Sequence, residues 1–343
     1  MPQRRLVLDL ASQRPVWRPP DEFVRALTAA GGEEWRVESV VAANDSDGDG
    51  AGGSPQAVAV AAGAEVYIGW GIPAAVVEAG RETLRWVHTA AAGVGGSLTP
   101  ALRESGVVLT KSAGVHAEPI AEWVVGAVLH FFRGMDLALE AQRGRRWAKS
   151  ELTGLPCPLR EIAGSRAAVY GLGGIGRAVA VRLSALGAEV RAVRRRPQLG
   201  GPDGVPVVGP DRTAWALEGA TALIVAAPLT EGTRAAVGRG ELALLGDGAV
   251  LVNASRGAIV DEAALLAALD SGKLRGAALD AFEREPLPPE HPYWAHPCVL
   301  VHPHVAGVTP RYWAREQALV LENWARYRER RALLNVVDMG AGY

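Results

Sequence analysis

Residues Gly171-Leu172-Gly173-Gly174-Ile175-Gly176 match G-x-G-x-x-G, a spacing that lets peptide N–H groups close around a pyrophosphate. Glycine is abundant here, 41 of 343 residues, so the motif gains weight only from its surroundings. A strand is predicted at 166–170, a helix opens within the motif and ends at Gly187, and a second strand is predicted at 189–193. Together they make a βαβ unit of the length a dinucleotide site requires. In such a unit Gly171 permits the tight turn, Gly173 lets the backbone approach the phosphates, and Gly176 lets helix and strand pack closely. Gly174 and Ile175 complete the turn at the positive end of the helix. The competing account is a glycine-rich turn with no ligand.

The second strand runs into Arg194-Arg195-Arg196. A free ribose diol is met at this point by Asp or Glu, whose carboxylate accepts from the two hydroxyls. Arg194 with Arg195 or Arg196 can instead grip a 2′-phosphate through forked, charge-assisted hydrogen bonds. NADP(H) is therefore expected in preference to NAD(H), an exposed basic turn being the alternative.

Three later segments place an arginine, a glutamate and a histidine in order: VNASRGAIVDE (252–262), ALDAFEREPLP (278–288) and VHPHVAGVT (301–309). With AAPLTEGT (226–233), TAAAGVGG (89–96) and SAGVHAEPIAEWVV (112–125), the chain resembles the D-isomer-specific 2-hydroxyacid dehydrogenases over nearly its whole length. The resemblance implies reduction of small 2-keto acids to D-2-hydroxy acids, in the manner of glyoxylate or hydroxypyruvate reductases. It implies Arg256 as the cation on the substrate carboxylate and carbonyl, His304 as general acid in reduction and base in oxidation, and Glu285 as the partner that favours the imidazolium. By the same likeness Asp280 and the backbone of Ala254 meet the nicotinamide carboxamide, and the amides of Gly93 and Val94 cradle the substrate carboxylate. Arg194 departs from the family's usual acid, which puts NADH use in doubt. Two rival functions are an NAD-dependent dehydrogenase of phosphoglycerate type and a dinucleotide-binding corepressor-like scaffold.

These residues need strands and helices to hold them. Short apolar runs alternate with helix-period segments, the pattern of parallel strands with crossover helices. RLVLDL (5–10), WRVESVV (35–41), VYIGW (66–70), WVHTA (86–90) and GVVLT (106–110) read as five strands, with helices at 21–30 and 72–80. One long connecting helix is expected over 118–143. A second series follows, with strands at 222–227, 249–255, 276–282 and 298–301, and a helix N-capped by Asp261 and stopped by Gly272. Two Rossmann-like or flavodoxin-like α/β domains result. By the resemblance, a dinucleotide-binding domain (115–308) is inserted into a substrate domain (1–114 and 309–343), with the active site in the cleft between them. The family is usually dimeric, and 137–156 is a candidate dimer arm.

Composition bounds the rest. With 49% hydrophobic and 21% charged residues and a net charge of -1, no overall field favours nucleic acid or an anionic membrane. Cys157 and Cys298 fit no metal or disulfide spacing, and the first residues hold no apolar run of signal length, so a cytoplasmic enzyme is expected. No metal is expected: Asp45-x-Asp47-x-Asp49-Gly50 opens like a calcium loop but ends at Gln56 where a bidentate Glu belongs. His302-Pro303-His304 resembles a ligand pair, but strand alternation would put both rings on one face with no third partner.

Overall fold

In chain order the first series is β1 (Arg4–Asp9), α1 (Asp21–Gly31), β2 (Trp35–Ser39), α2 (Pro55–Ala61), β3 (Val66–Gly69), α3 (Ala74–Ala79), β4 (Trp86–Thr89), α4 (Pro100–Ser105) and β5 (Val108–Lys111). The second series is α5 (Ala117–Phe132), α6 (Met135–Arg143), α7 (Lys149–Leu152), β6 (Arg166–Tyr170), α8 (Gly174–Ala185), β7 (Glu189–Val193), β8 (Val207–Val208) and α9 (Thr213–Leu217). It continues through β9 (Ala222–Val225), α10 (Arg239–Leu244), β10 (Ala249–Asn253), α11 (Glu262–Asp270), β11 (Leu274–Leu279) and β12 (Val299–Val301), and α12 (Tyr312–Arg328) follows. This computed structural model describes residues 3–41, 54–154 and 157–343. The acidic stretch that opens like a calcium loop lies outside the described residues.

The first series forms one parallel sheet in the order β2-β1-β3-β4-β5, and the second another in the order β12-β11-β10-β9-β6-β7-β8. Parallel strands covered on both faces are mostly apolar, and every residue of β3, β4, β9 and β10 is buried. The chain divides into two bodies, Met1–His116 with Val308–Tyr343, and Ala117–Gly307. The helix α12 belongs to the first, where Tyr312, Val320 and Trp324 are fully buried in one cluster with Leu6, Trp35 and Trp86.

The expected helix over 118–143 is two helices. Gly134, at φ +63, turns the chain between α5 and α6, and a Cβ there would meet Leu159 Cδ2 at 2.6 Å. α5 buries a full apolar stripe whereas α6 buries only Ala141, and the apolar residues Met135 and Leu139 past the break keep a helix-like spacing that gives no sign of it. The predicted ends of α11 hold. Asp261 accepts the Ala264 amide at 2.9 Å, and Gly272 follows the helix at φ +75.

Candidate active site

The glycine turn lies at the end of β6. Gly171 has φ +103, and a Cβ there would sit 2.3 Å from the Ala227 nitrogen. A Cβ on Gly176 would lie 2.0 Å from the Gly171 carbonyl oxygen. Those two glycines are demanded by the chain's own packing. Gly173 is different: its φ of -84 suits any residue and nothing lies within 4 Å of its Cβ position. The space beside it is open, which fits close approach of a ligand. Among the described residues no side chain caps α8, so the N–H groups of Gly174, Ile175 and Gly176 have no acceptor within the helix. They form the cradle a pyrophosphate requires, and Arg194 is the first residue past β7. Its Nη1 donates to the Gly200 carbonyl at 2.6 Å, and among the described residues the rest of the guanidinium makes no hydrogen bond, while Arg195 and Arg196 are exposed.

The strands β10, β11 and β12 end side by side and carry the three chemical side chains on the loops that follow. At the end of β10, Asn253 folds the chain back on itself. Its Nδ2 donates to the Arg256 carbonyl at 3.0 Å and its Oδ1 accepts from the Ser255 amide and hydroxyl at 3.1 and 2.9 Å. Gly257 then packs against the loop after β11, where a Cβ would stand 2.0 Å from the Phe282 carbonyl carbon. In that loop Glu285 Oε1 accepts the Phe282 amide at 2.8 Å, and Oε2 accepts His304 Nδ1–H at 2.7 Å. Both side chains keep over a third of their surface exposed.

The imidazole of His304 is held above its ordinary pKa. The hydrogen bond to Glu285 is the main cause, burial opposes it, and the Glu285 charge outweighs the nearby Arg256 charge. Burial pushes Glu285 up, but the hydrogen bonds from His304 and the Phe282 amide carry it below the usual carboxylate range. With Nδ1 committed to Glu285, Nε2 is the atom left to give or take a proton. Among the described residues it has no hydrogen-bond partner. Among the described residues the Arg256 guanidinium bonds only the Ser255 carbonyl, at 2.8 Å, so most of its N–H groups are available to an anion.

Asp280 is 4% exposed, and its carboxylate accepts from His302 Nδ1 at 2.6 Å and from the amides of Val305 and Ala306. Ala254, 6% exposed, donates its amide to Val225. Gly93 and Val94 belong to the first body, in the loop after β4. Val94 is 4% exposed, and the amides of both make no hydrogen bond among the described residues. The expectation that strand alternation aligns His302 with His304 is corrected: β12 stops at Val301, and a turn sends the two rings to different carboxylates. Among the described residues no group of three His, Cys, Asp or Glu is placed to hold a metal. The positioning side chains, Asn253 and the His302 ring, escape sequence reasoning. Their one trace is a polar residue at the end of an apolar run.

A parallel-sheet body with a glycine turn, a basic strand end and an Arg–Glu–His set on neighbouring loops defines a dinucleotide-dependent oxidoreductase. The chain belongs to the D-isomer specific 2-hydroxyacid dehydrogenase family, whose NAD binding domain matches residues 125–306. It is 34% identical to glyoxylate/hydroxypyruvate reductase A of Photorhabdus laumondii, over 77% of this chain and 83% of that one. A D-isomer specific 2-hydroxyacid dehydrogenase from Xanthobacter autotrophicus Py2, solved with NADPH and MES, aligns with TM-score 0.79 and 31% identity over 99% of this chain and 100% of that one. An NADPH-dependent glyoxylate/hydroxypyruvate reductase from Sinorhizobium meliloti, solved with NADP and sulfate, aligns with TM-score 0.78 and 27% identity, again over 99% and 100%.

Proposed function

We propose that this chain reduces small 2-keto acids such as glyoxylate or hydroxypyruvate to D-2-hydroxy acids, with NADPH as hydride donor. The observation that carries the reading is the His304–Glu285 pair at 2.7 Å, its Nε2 open, in the same body as Arg256 and the uncapped glycine turn. The similar structures solved with NADPH and NADP support the choice of cofactor. So does Arg194, a cation where a carboxylate would repel a 2′-phosphate.

The reduced nicotinamide supplies the hydride. Gly171, Gly173 and the first turn of α8 would hold the pyrophosphate, Arg194 and Arg195 the 2′-phosphate, and Ala254 and Asp280 the carboxamide. Arg256 would hold the substrate carboxylate, so that the carbonyl carbon is fixed for attack. His304 gives the Nε2 proton to the carbonyl oxygen as the alkoxide forms, and Glu285 keeps that proton in place beforehand. The same reading makes the protein a cytoplasmic homodimer with 137–156 as its arm. That segment holds most of α6 and all of α7 and bares Leu139 and Trp147, the latter 93% exposed, while its last two residues lie outside the described ones.

The direct test follows NADPH absorbance with a panel of 2-keto acids, and then compares NADPH with NADH. Turnover with glyoxylate or hydroxypyruvate and a preference for NADPH are expected. No turnover with any of them would end the proposal.

A further inference from the structure

His304 has φ +53, a left-handed conformation that residues with a Cβ rarely adopt. Something must hold it, and the observed grip comes from the end of β11. Asp280 Oδ1 accepts His302 Nδ1–H at 2.6 Å, the Val305 amide at 2.9 Å and the Ala306 amide at 3.2 Å, and Oδ2 shares the Ala306 amide at 3.2 Å. These donors stand on both sides of His304 in the chain. The His304 amide closes the turn on the His302 carbonyl at 2.9 Å. The His302 ring is itself braced, lying 5.1 Å from the Trp123 ring of α5 at a tilt of 31°.

We infer that Asp280 and His302 are a positioning pair: the buried carboxylate, oriented by the braced imidazole, fixes the left-handed turn that presents His304. A carboxamide partner needs only one acceptor atom, which accounts for neither the pair of backbone amides nor the second imidazole. The charges facing His304 are Glu285 and Asp280, which favour its protonated form, and Arg256, which opposes it. Loss of the Asp280 charge therefore lowers the pH at which His304 titrates.

This inference rests on the proposed role of His304 as proton donor, and the experiment keeps the two separable. In the full chain, Asp280→Asn, His302→Phe and His302→Asn are compared with the parent. One arm follows the His304 ring by NMR against pH without substrate, assigned by difference from His304→Gln. The other measures kcat with glyoxylate and KM for NADPH.

For Asp280→Asn the expected result is a His304 titration moved to lower pH, a kcat reduced by about tenfold or more, and a KM for NADPH within roughly threefold of the parent. His302→Phe keeps a ring against Trp123 but removes the donor, and kcat should fall by roughly threefold with KM for NADPH unmoved. His302→Asn, with a donor restored, should recover most of it. A His304 titration unchanged by Asp280→Asn overturns the inference. So does a tenfold rise in KM for NADPH with kcat intact, which would make Asp280 a cofactor ligand alone. If the parent turns over no keto acid, the proposed reaction fails while the titration still decides the role of the pair.

Discussion

His304 and Glu285 set a sign that pH can test. The folded imidazole titrates above its ordinary value because Glu285 accepts its proton, so the acid form needed for reduction persists to higher pH than in a free histidine. The rate of keto-acid reduction should be flat below that raised pKa and fall as pH rises through it, while oxidation of the hydroxy acid rises across the same window. Glu285→Gln removes the charge and should move both limbs to lower pH. A pH profile of kcat/KM checks this, and an unmoved limb would remove Glu285 from the mechanism. Replacing His304 by Gln should cost about 10²- to 10⁴-fold in kcat, the range for loss of a positioned acid. At the other end of the cofactor, Arg194→Asp should invert the ratio of kcat/KM for NADPH over NADH. A parent enzyme that prefers NADH would show that Arg194, already bonded to the Gly200 carbonyl, serves only its own loop.

The strand-to-helix turns explain why some residue types are fixed and others are open to choice. Gly176→Ala drives a Cβ into the Gly171 carbonyl, and nothing flexible stands there to move, so a loss of stability of about 1–3 kcal/mol is expected by urea denaturation. Gly173→Ala meets no protein atom and should fold like the parent. Its effect belongs to cofactor binding, read as a rise in the Kd for NADPH by titration of nucleotide fluorescence. Equal effects of the two substitutions on folding would refute the distinction. Much of this was readable in the chain, because turn glycines, the Asp261 cap and covered parallel strands follow from local chemistry. The break at Gly134 was not, because an isolated glycine within an apolar period does not reveal whether the helix passes through it. The short β8 was too brief to register as a pattern. Asn253 and Asp280 were visible as residues, but their bonds to backbone amides depend on where loops return, which no spacing encodes.

The first body is built from two pieces of chain, and its joint is polar as well as aromatic. Glu316 on α12, fully buried, lies 3.1 Å from His88 Nε2 on β4 and accepts the Ser112 hydroxyl at 2.9 Å, across more than two hundred residues of sequence. On the other side of the ring, His88 Nδ1 meets Thr110 Oγ1 at 2.7 Å, and Trp86 Nε1 donates to the same oxygen at 2.8 Å. The helix is thus registered on the sheet by a chain of fully buried bonds. Glu316→Ala leaves His88 and Ser112 short of a buried partner and should cost about 1–3 kcal/mol. Trp17, Trp35, Trp70, Trp86, Trp313 and Trp324 all lie in this body, so tryptophan fluorescence reports its unfolding more than that of the body holding the glycine turn. In urea the fluorescence midpoint of Glu316→Ala should fall, while the affinity for NADPH in buffer stays within about twofold of the parent, since every residue proposed to hold the dinucleotide belongs to the other body. An unfolding free energy within about 0.5 kcal/mol of the parent would show that the buried network adds nothing to the apolar packing of Tyr312, Val320 and Trp324.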